Sequence, residues 1–169
     1  MQAYISIKYH PDNKNRERIE KISAALAQCG FETVCVVRDV EKWGQVTFDP
    51  RELMQKTFDE IDASHVVVLD LTEKGVGVGI EAGYAHARGL PIVTIASKGS
   101  DISTTLRGIS HRVFLYGAYD ELVSFFTSGG AAPNKPATSL RRERLRQSSV
   151  EPSVERSVES FGSPQLVEA

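Results

Sequence analysis

Short β-branched runs that alternate with amphipathic helical stretches, one run apolar on both faces, and a glycine-rich turn directly after it predict an α/β domain. Five strand-like runs with intervening helices imply right-handed crossovers, so the expected architecture is a flavodoxin-like, doubly wound five-stranded parallel sheet with helices on both faces. Residues 3–8 read as the first strand. Residues 12–30 read as a helix, with Ile19, Ile22, Ala25 and Leu26 at helical spacing, Asp12 or Asn13 as its cap and Gly30 as its stop. Residues 31–37, rich in β-branched side chains, form the second strand. Residues 50–63 form a helix that turns Leu53, Met54, Phe58 and Ile61 inward. Residues 65–71 are almost continuously apolar, as in a strand covered on both faces. The glycine-rich turn then leads to a helix over 79–88, which Gly89 ends. Residues 91–96 and 112–116 are two further strands, and 119–126 is the last helix of the domain. Ligands of such sheets bind beyond the carboxyl ends of the strands where the strand order reverses, so residues 8–13, 71–81 and 97–107 are expected to build the site.

The 169 residues suffice for one domain, over 1–128, and a tail. From 129 onward Gly, Ala, Pro and Ser dominate, followed by a basic patch (Arg141, Arg142, Arg144, Arg146) and Ser-Val-Glu triplets at 149–151, 153–155 and 157–159. Such a stretch is too polar to offset its ordering entropy and is expected to be a disordered tail. Twenty basic against twenty-two acidic side chains leave a net charge of −2, which excludes the electrostatic footprint of a non-specific nucleic-acid binder. No apolar run approaches the roughly 20 residues that span a bilayer. Tyr4 and Lys8 fall where a signal peptide needs its apolar core, so a cytoplasmic location is expected. Cys29 and Cys35 lie in apolar surroundings and read as reduced core residues, without zinc or a disulfide.

The chemistry concentrates in Gly75-Val76-Gly77-Val78-Gly79-Ile80-Glu81. Glycines at every second position strip side chains from the turn, so backbone N–H groups can approach a sugar or a phosphate. Glu81 is expected in the first turn of the next helix, where the helix dipole favours its ionised form. An ionised carboxylate in the crevice is what a covalent glycosidic mechanism uses as nucleophile. A glutamate there also serves as a helix cap, and the residues alone leave both readings open. A dinucleotide-binding fingerprint is disfavoured, because its glycines follow the first strand and these follow the third.

Residues 70–92, most closely Gly75 to Gly83 followed by Gly89-Leu90-Pro91-Ile92, resemble the nucleoside 2-deoxyribosyltransferase family and especially its branch of 2′-deoxynucleoside 5′-monophosphate N-hydrolases. The likeness extends in element order over about residues 3–126. It implies that Glu81 attacks the anomeric carbon and holds the sugar as an ester. Tyr4 falls at the place of a first-strand tyrosine that contacts the family's site, and is either that contact or a core aromatic. Ile102-Ser103-Thr104-Thr105-Leu106-Arg107-Gly108 is similar to the segment that presents a serine to the phosphate of a nucleotide held by the neighbouring subunit. The resemblance therefore implies Ser103 as a phosphate ligand and a homodimer, or a higher homo-oligomer, with shared sites; the alternative is that Ser103 caps a short helix. Lys8 and His10 stand in the loop where that branch has its other phosphate ligands, a serine and an arginine.

Two departures bear on the chemistry. The family's aspartate ahead of the third strand is Thr57 here, with Asp59 and Asp62 out of register by helical rotation. The transferases' base-holding aspartate, six residues before the nucleophile, is Gly75. Asp70, ending the third strand, is the remaining carboxylate expected to face the crevice, as general acid or as orienter of a hydroxyl. Trp43, or Phe48, lies in the loop after the second strand and either stacks on the base or plugs the loop. His86, five residues beyond Glu81, is off its helical face and reads as a surface or packing residue, while His65 and His111 start strands and show no partner.

The expected function is an N-glycosidase that cleaves the base–sugar bond of a nucleoside 5′-monophosphate, or of a nucleoside, through a glycosyl–Glu81 intermediate and with net retention. That chemistry calls for no metal and no organic cofactor. The alternatives are base exchange by a deoxyribosyltransferase, a cytokinin-type phosphoribohydrolase with a distantly similar glycine-rich motif, and a non-catalytic nucleotide-binding sensor.

Overall fold

A computed structural model describes residues 1–131; the expected tail, with its basic patch and triplets, lies almost wholly outside the described residues. The chain runs β1 (Gln2–Ile7), α1 (Arg16–Gln28), β2 (Glu32–Val34), α2 (Pro50–Ala63), β3 (Val66–Asp70), α3 (Val76–Ala87), β4 (Ile92–Ser97), α4 (Thr104–Ile109), β5 (Arg112–Tyr116) and α5 (Tyr119–Thr127). All strand pairs are parallel, in the order β2-β1-β3-β4-β5. The reversal at β1 puts the crevice between its two neighbours, beyond their carboxyl ends.

Alternation along β1 divides the core. Ala3, Ile5 and Ile7 pack with Ile19, Ile22 and Leu26 of α1 and with Leu122 and Phe126 of α5. Tyr4 points the other way, toward Ile61 of α2 and Val78, Ala82 and Ala85 of α3. Every residue of β3 is buried, as its unbroken apolar run requires.

Three boundaries differ from expectation, each for a local reason. The first helix starts at Arg16, because the Asn15 side chain donates to the Lys8 carbonyl (2.7 Å) and Asn13 adopts a left-handed φ of 52°, so neither Asp12 nor Asn13 caps it. The second strand stops at Val34, and the chain coils into a π-helical turn over Val36–Val40. There the Cys35 amide donates to Asp39 Oδ2 (2.8 Å), and Arg38 reaches the Thr33 carbonyl (2.7 Å) and Ser23 Oγ (2.6 Å). As an edge strand, β2 has only β1 to hold it extended. The third difference is the start of α3 at Val76, with Gly75 as its extended N-cap, so Gly77 and Gly79 lie inside the helix rather than in a turn.

By contrast α2 has the expected bounds. Asp49 accepts from the Arg51 and Glu52 amides, and Pro50 occupies the first helical position. His65 and His111 do have partners: Nδ1 of each accepts a backbone amide, from Gln2 (3.1 Å) and Ile92 (3.0 Å). Cys35 is buried and Cys29 partly so, and both are free thiols.

Candidate active site

A cavity of about 480 Å³ opens over the carboxyl end of β1, between the turn that follows β2, the helix α2 and the start of α3. Tyr4, Lys8, Glu41, Thr57, Gly75 and Glu81 are among its lining residues. Its size suits a small-molecule ligand.

Glu81 is the sixth residue of α3, one turn deeper than expected. There the dipole offers little, and burial dominates. It raises the carboxyl group from 4.5 to about 7, against the Ser6 and Tyr4 hydroxyls, which favour the charged form. Those hydroxyls act as nearby dipoles rather than as closed hydrogen bonds: Oε2 of Glu81 and Oγ of Ser6 are both buried without a partner. The expectation of a carboxylate ionised by the helix terminus is thus corrected to one held near half-protonation at neutral pH. A buried carboxylate oxygen left open at a cavity wall contributes little to the fold and marks a candidate functional group.

Tyr4 is 1% exposed, and burial, reinforced by the Glu81 charge, lifts its phenol well above the usual range. It belongs to the core and to the cavity wall at once. Replacing it by phenylalanine removes a dipole that favours ionised Glu81, so the acidic limb of the kcat/KM–pH profile is expected to move to higher pH. A uniform loss of rate at every pH would contradict this.

Of the three glycines, Gly75 has the clearest steric reason. A Cβ there would stand 3.2 Å from Lys8 Cγ and 3.4 Å from its Cβ. Gly77 faces Glu81, its notional Cβ 4.0 Å from Oε1, whereas Gly79 opens onto a second cavity of about 390 Å³. Ser103 lies in that second cavity with Gly83, Thr105 and Leu106, outside the one that holds Glu81. It stands at the N-cap position of α4, but its hydroxyl pairs with Thr105 Oγ1 (2.8 Å) and makes no cap bond.

The cationic candidates are drawn together by Glu73. His10 Nε2 lies 3.0 Å and Lys8 Nζ 3.6 Å from Glu73 Oε2, and Arg18 Nη1 lies 3.4 Å from Oε1. Although burial opposes it, the surrounding His10, Lys14, Arg18 and Lys8 hold the Glu73 carboxyl below its ordinary value. Lys8 also lines the cavity, whereas His10 does not.

For Asp70 the expected place in the crevice fails on geometry, and Trp43 takes the second of its two readings, a plug under its loop. Asp70 ends a strand whose alternate residues Val66 and Val68 belong to the α1–α5 core, and it shares their face. Its Oδ1 accepts from the Thr72 amide (2.8 Å) and its Oδ2 lies 3.8 Å from Arg18, so it does not face Glu81. Trp43 packs partly buried on that same core, under the Arg16 guanidinium at 4.6 Å, with its carbonyl bonded by Asn13 Nδ2 (3.0 Å). It fastens the loop instead of entering the cavity, and Phe48 is likewise absent from the lining.

Thr57 lines the cavity, and its hydroxyl is spent on the Leu53 carbonyl (2.9 Å). Asp59 bonds Gln55 and Asp62 bonds Tyr84 and Arg88, both away from the cavity. Ser6, Cys35 and Glu41 were not anticipated. Period-two alternation from Tyr4 marks Ser6, but no sequence pattern announces the turn that carries Glu41.

The family model described as nucleoside 2-deoxyribosyltransferase matches residues 4–165 of this chain. A curated relative from Thermofilum pendens, named "Putative 2'-deoxynucleoside 5'-phosphate N-hydrolase 1", is 26% identical over 129 residues, which cover 72% of this chain and 87% of the relative. Among solved structures, a Clostridium botulinum CMP N-glycosidase superposes with a TM-score of 0.55 at 18% identity, covering 76% of this chain and 99% of that one. A 2-deoxyribosyltransferase from Bacillus psychrosaccharolyticus superposes with a TM-score of 0.60 at 12% identity, covering 83% and 96%. These two structures share the fold with the present chain.

Proposed function

Because the chain belongs to the nucleoside 2-deoxyribosyltransferase family and is therefore an enzyme acting on N-glycosyl bonds, we propose that it hydrolyses the base–sugar bond of a nucleoside 5′-monophosphate. The observation that carries this reading is Glu81, buried at the wall of the cavity with an unpartnered oxygen beside Tyr4 and Ser6. In its ionised form Glu81 attacks the anomeric carbon as the base departs, giving a glycosyl ester with inversion. Water opens the ester with a second inversion, for net retention. Carboxylate and proton transfers suffice for both steps, so neither a metal nor an organic cofactor is needed.

The preference for a phosphorylated substrate rests on the name of the Thermofilum relative and on Lys8, a cation on the cavity wall. Ser103 lies in a cavity separate from that of Glu81 within one chain. On this reading a phosphate contact from Ser103 is made to a neighbour's nucleotide, and the working unit is a homodimer or larger. Hydrolysis is favoured over base exchange because the cavity has Gly75 and Thr57 where the transferases carry carboxylates.

The test is release of free base, followed by chromatography, from ribo- and deoxyribonucleosides and their monophosphates. Monophosphates are expected to react and Glu81→Ala to be inactive; release that survives Glu81→Ala, or none from any compound, overturns the reading. Ser103→Ala is expected to raise KM about tenfold for a monophosphate and to leave a nucleoside unaffected, as for one lost charge-assisted hydrogen bond. An unchanged KM would remove the shared site.

A further inference from the structure

Glu41 is a second carboxylate on the wall of the Glu81 cavity, and nothing in the fold requires it there. Among the described residues no hydrogen bond or ion pair engages its side chain. Its backbone, by contrast, is firmly held. The Glu41 amide donates to the Val36 carbonyl (2.9 Å), and its carbonyl accepts from Gly44 (3.0 Å) and Val46 (3.0 Å). The two following residues, Lys42 and Trp43, adopt left-handed φ values of 49° and 61°, ahead of Gly44 at 85°. Left-handed conformations at non-glycine residues are uncommon and persist only where the surroundings over-determine them. Here Arg16 over the Trp43 ring and Asn13 on its carbonyl do so, and the π-helical turn Val36–Val40 fixes the approach from the other side. π-helical turns recur at functional sites for the same reason. The whole device fixes Glu41, its side chain unpaired, at the wall of the cavity.

A nucleobase is a poor leaving group as an anion, so its departure needs a proton. The carboxylates within reach reduce quickly. Asp70 faces the α1–α5 core, Glu73 is committed to His10, Lys8 and Arg18, and Glu81 is the nucleophile. Glu41, on the turn after β2, and Glu81, on the helix after β3, flank the carboxyl end of β1 from its two sides. We propose, resting on the N-glycosidase reading of this site, that Glu41 is the acid–base catalyst: it donates a proton to the departing base and then takes one from the attacking water.

The steps balance. As an oxygen of Glu81 bonds to the anomeric carbon, the carbon–nitrogen bond breaks, its electron pair goes to the base nitrogen, and the Glu41 proton follows. In the second half the Glu41 carboxylate removes a proton from water, the water oxygen bonds to the anomeric carbon, and the Glu81 carboxylate leaves. Both residues end in their starting forms. The other titratable groups on the cavity are Tyr4, Lys8, Tyr9 and Cys35. Burial keeps Tyr4 neutral and pushes the Cys35 thiol up to about 12, and Lys8 is turned to Glu73. No cation pairs with Glu41 to hold it ionised, and burial raises its carboxyl above the ordinary value.

Two leaving groups separate the roles. A nucleotide base needs the proton, whereas para-nitrophenolate on the same sugar phosphate departs as an anion. Glu41→Gln is expected to lower base release by roughly 10²- to 10⁴-fold, to erase the alkaline limb of its pH profile, and to spare only the first turnover of nitrophenol, a burst followed by slow release as the glycosyl ester awaits water. Glu81→Gln is expected to lose both. Loss of the nitrophenol burst along with base release in Glu41→Gln, or loss of neither, overturns the role of Glu41 alone. An unmodified chain that releases neither overturns the N-glycosidase reading and this proposal with it.

Discussion

Glu81→Gln is expected to lower base release by on the order of 10³-fold or more and, at the same time, to make the chain more stable above neutral pH. The loss of activity follows because no other group among the described residues of the cavity wall can take its place: Tyr4 and Cys35 are held neutral by burial, and Glu41, though unpaired, stands on the turn after β2 and not on α3. The gain in stability follows from the raised carboxyl group. It titrates at about 7 in the folded chain against an ordinary value of 4.5, so the folded state holds its proton more tightly than the unfolded state does. The resulting contribution to stability is full below the unfolded value and is lost as pH rises from about 4.5 through about 7. Above that window the ionised, buried carboxylate costs up to about 3 kcal/mol, which glutamine does not incur. Thermal melts at several pH values read this directly. The variant should melt higher than the unmodified chain at alkaline pH, and the gap should close under acid. A gap independent of pH would show that the carboxylate is not held as described.

Ile61→Ala is expected to destabilise the chain by about 3 kcal/mol, a large share of the roughly 5–15 kcal/mol available to a domain. Ile61 is 0% exposed and, with Thr57, is one of the two fully buried side chains of α2. Its companions Leu53 and Phe58 are only partly buried against the same core. Its removal leaves a cavity beneath the helix and loosens the wall that Leu53, Met54 and Thr57 give to the site. Urea unfolding should show a lower midpoint with an unchanged slope, and KM should rise more than kcat falls. A normal midpoint with normal KM would mean that α2 is held by contacts other than this one.

The sheet was legible because its evidence is local. A fully apolar run such as Val66–Asp70 has no reading other than a strand covered on both faces. The same property conceals which way its residues point, which is why Asp70 was expected in the crevice and lies on the other face. Helix α3 was read three residues short because glycine disfavours helices in isolation. In the fold Val78, Ala82 and Ala85, all buried against the sheet, override that preference and carry the helix back to Val76. The shift changes the chemistry as well, moving Glu81 out of the dipole's reach and into a buried position. Glu81 is legible through its glycine-rich motif and Tyr4 through the family resemblance. Glu41 is not, because its place depends on a π-helical turn and two left-handed residues fixed by Arg16 and Asn13, partners distant in sequence.

Tyr4 and Ser6 are at once load-carrying residues of a strand flanked on both sides and the polar surroundings of Glu81. Substitution there disturbs the interior, so the reacting end of the cavity has little freedom to vary. The turn after β2 is different: it belongs to an edge, hangs from a handful of anchors, and supplies Val36, Val37 and Glu41 to the other end. Divergence in substrate choice among descendants of this chain should therefore accumulate in that turn and in α2, while the strand beneath Glu81 stays fixed.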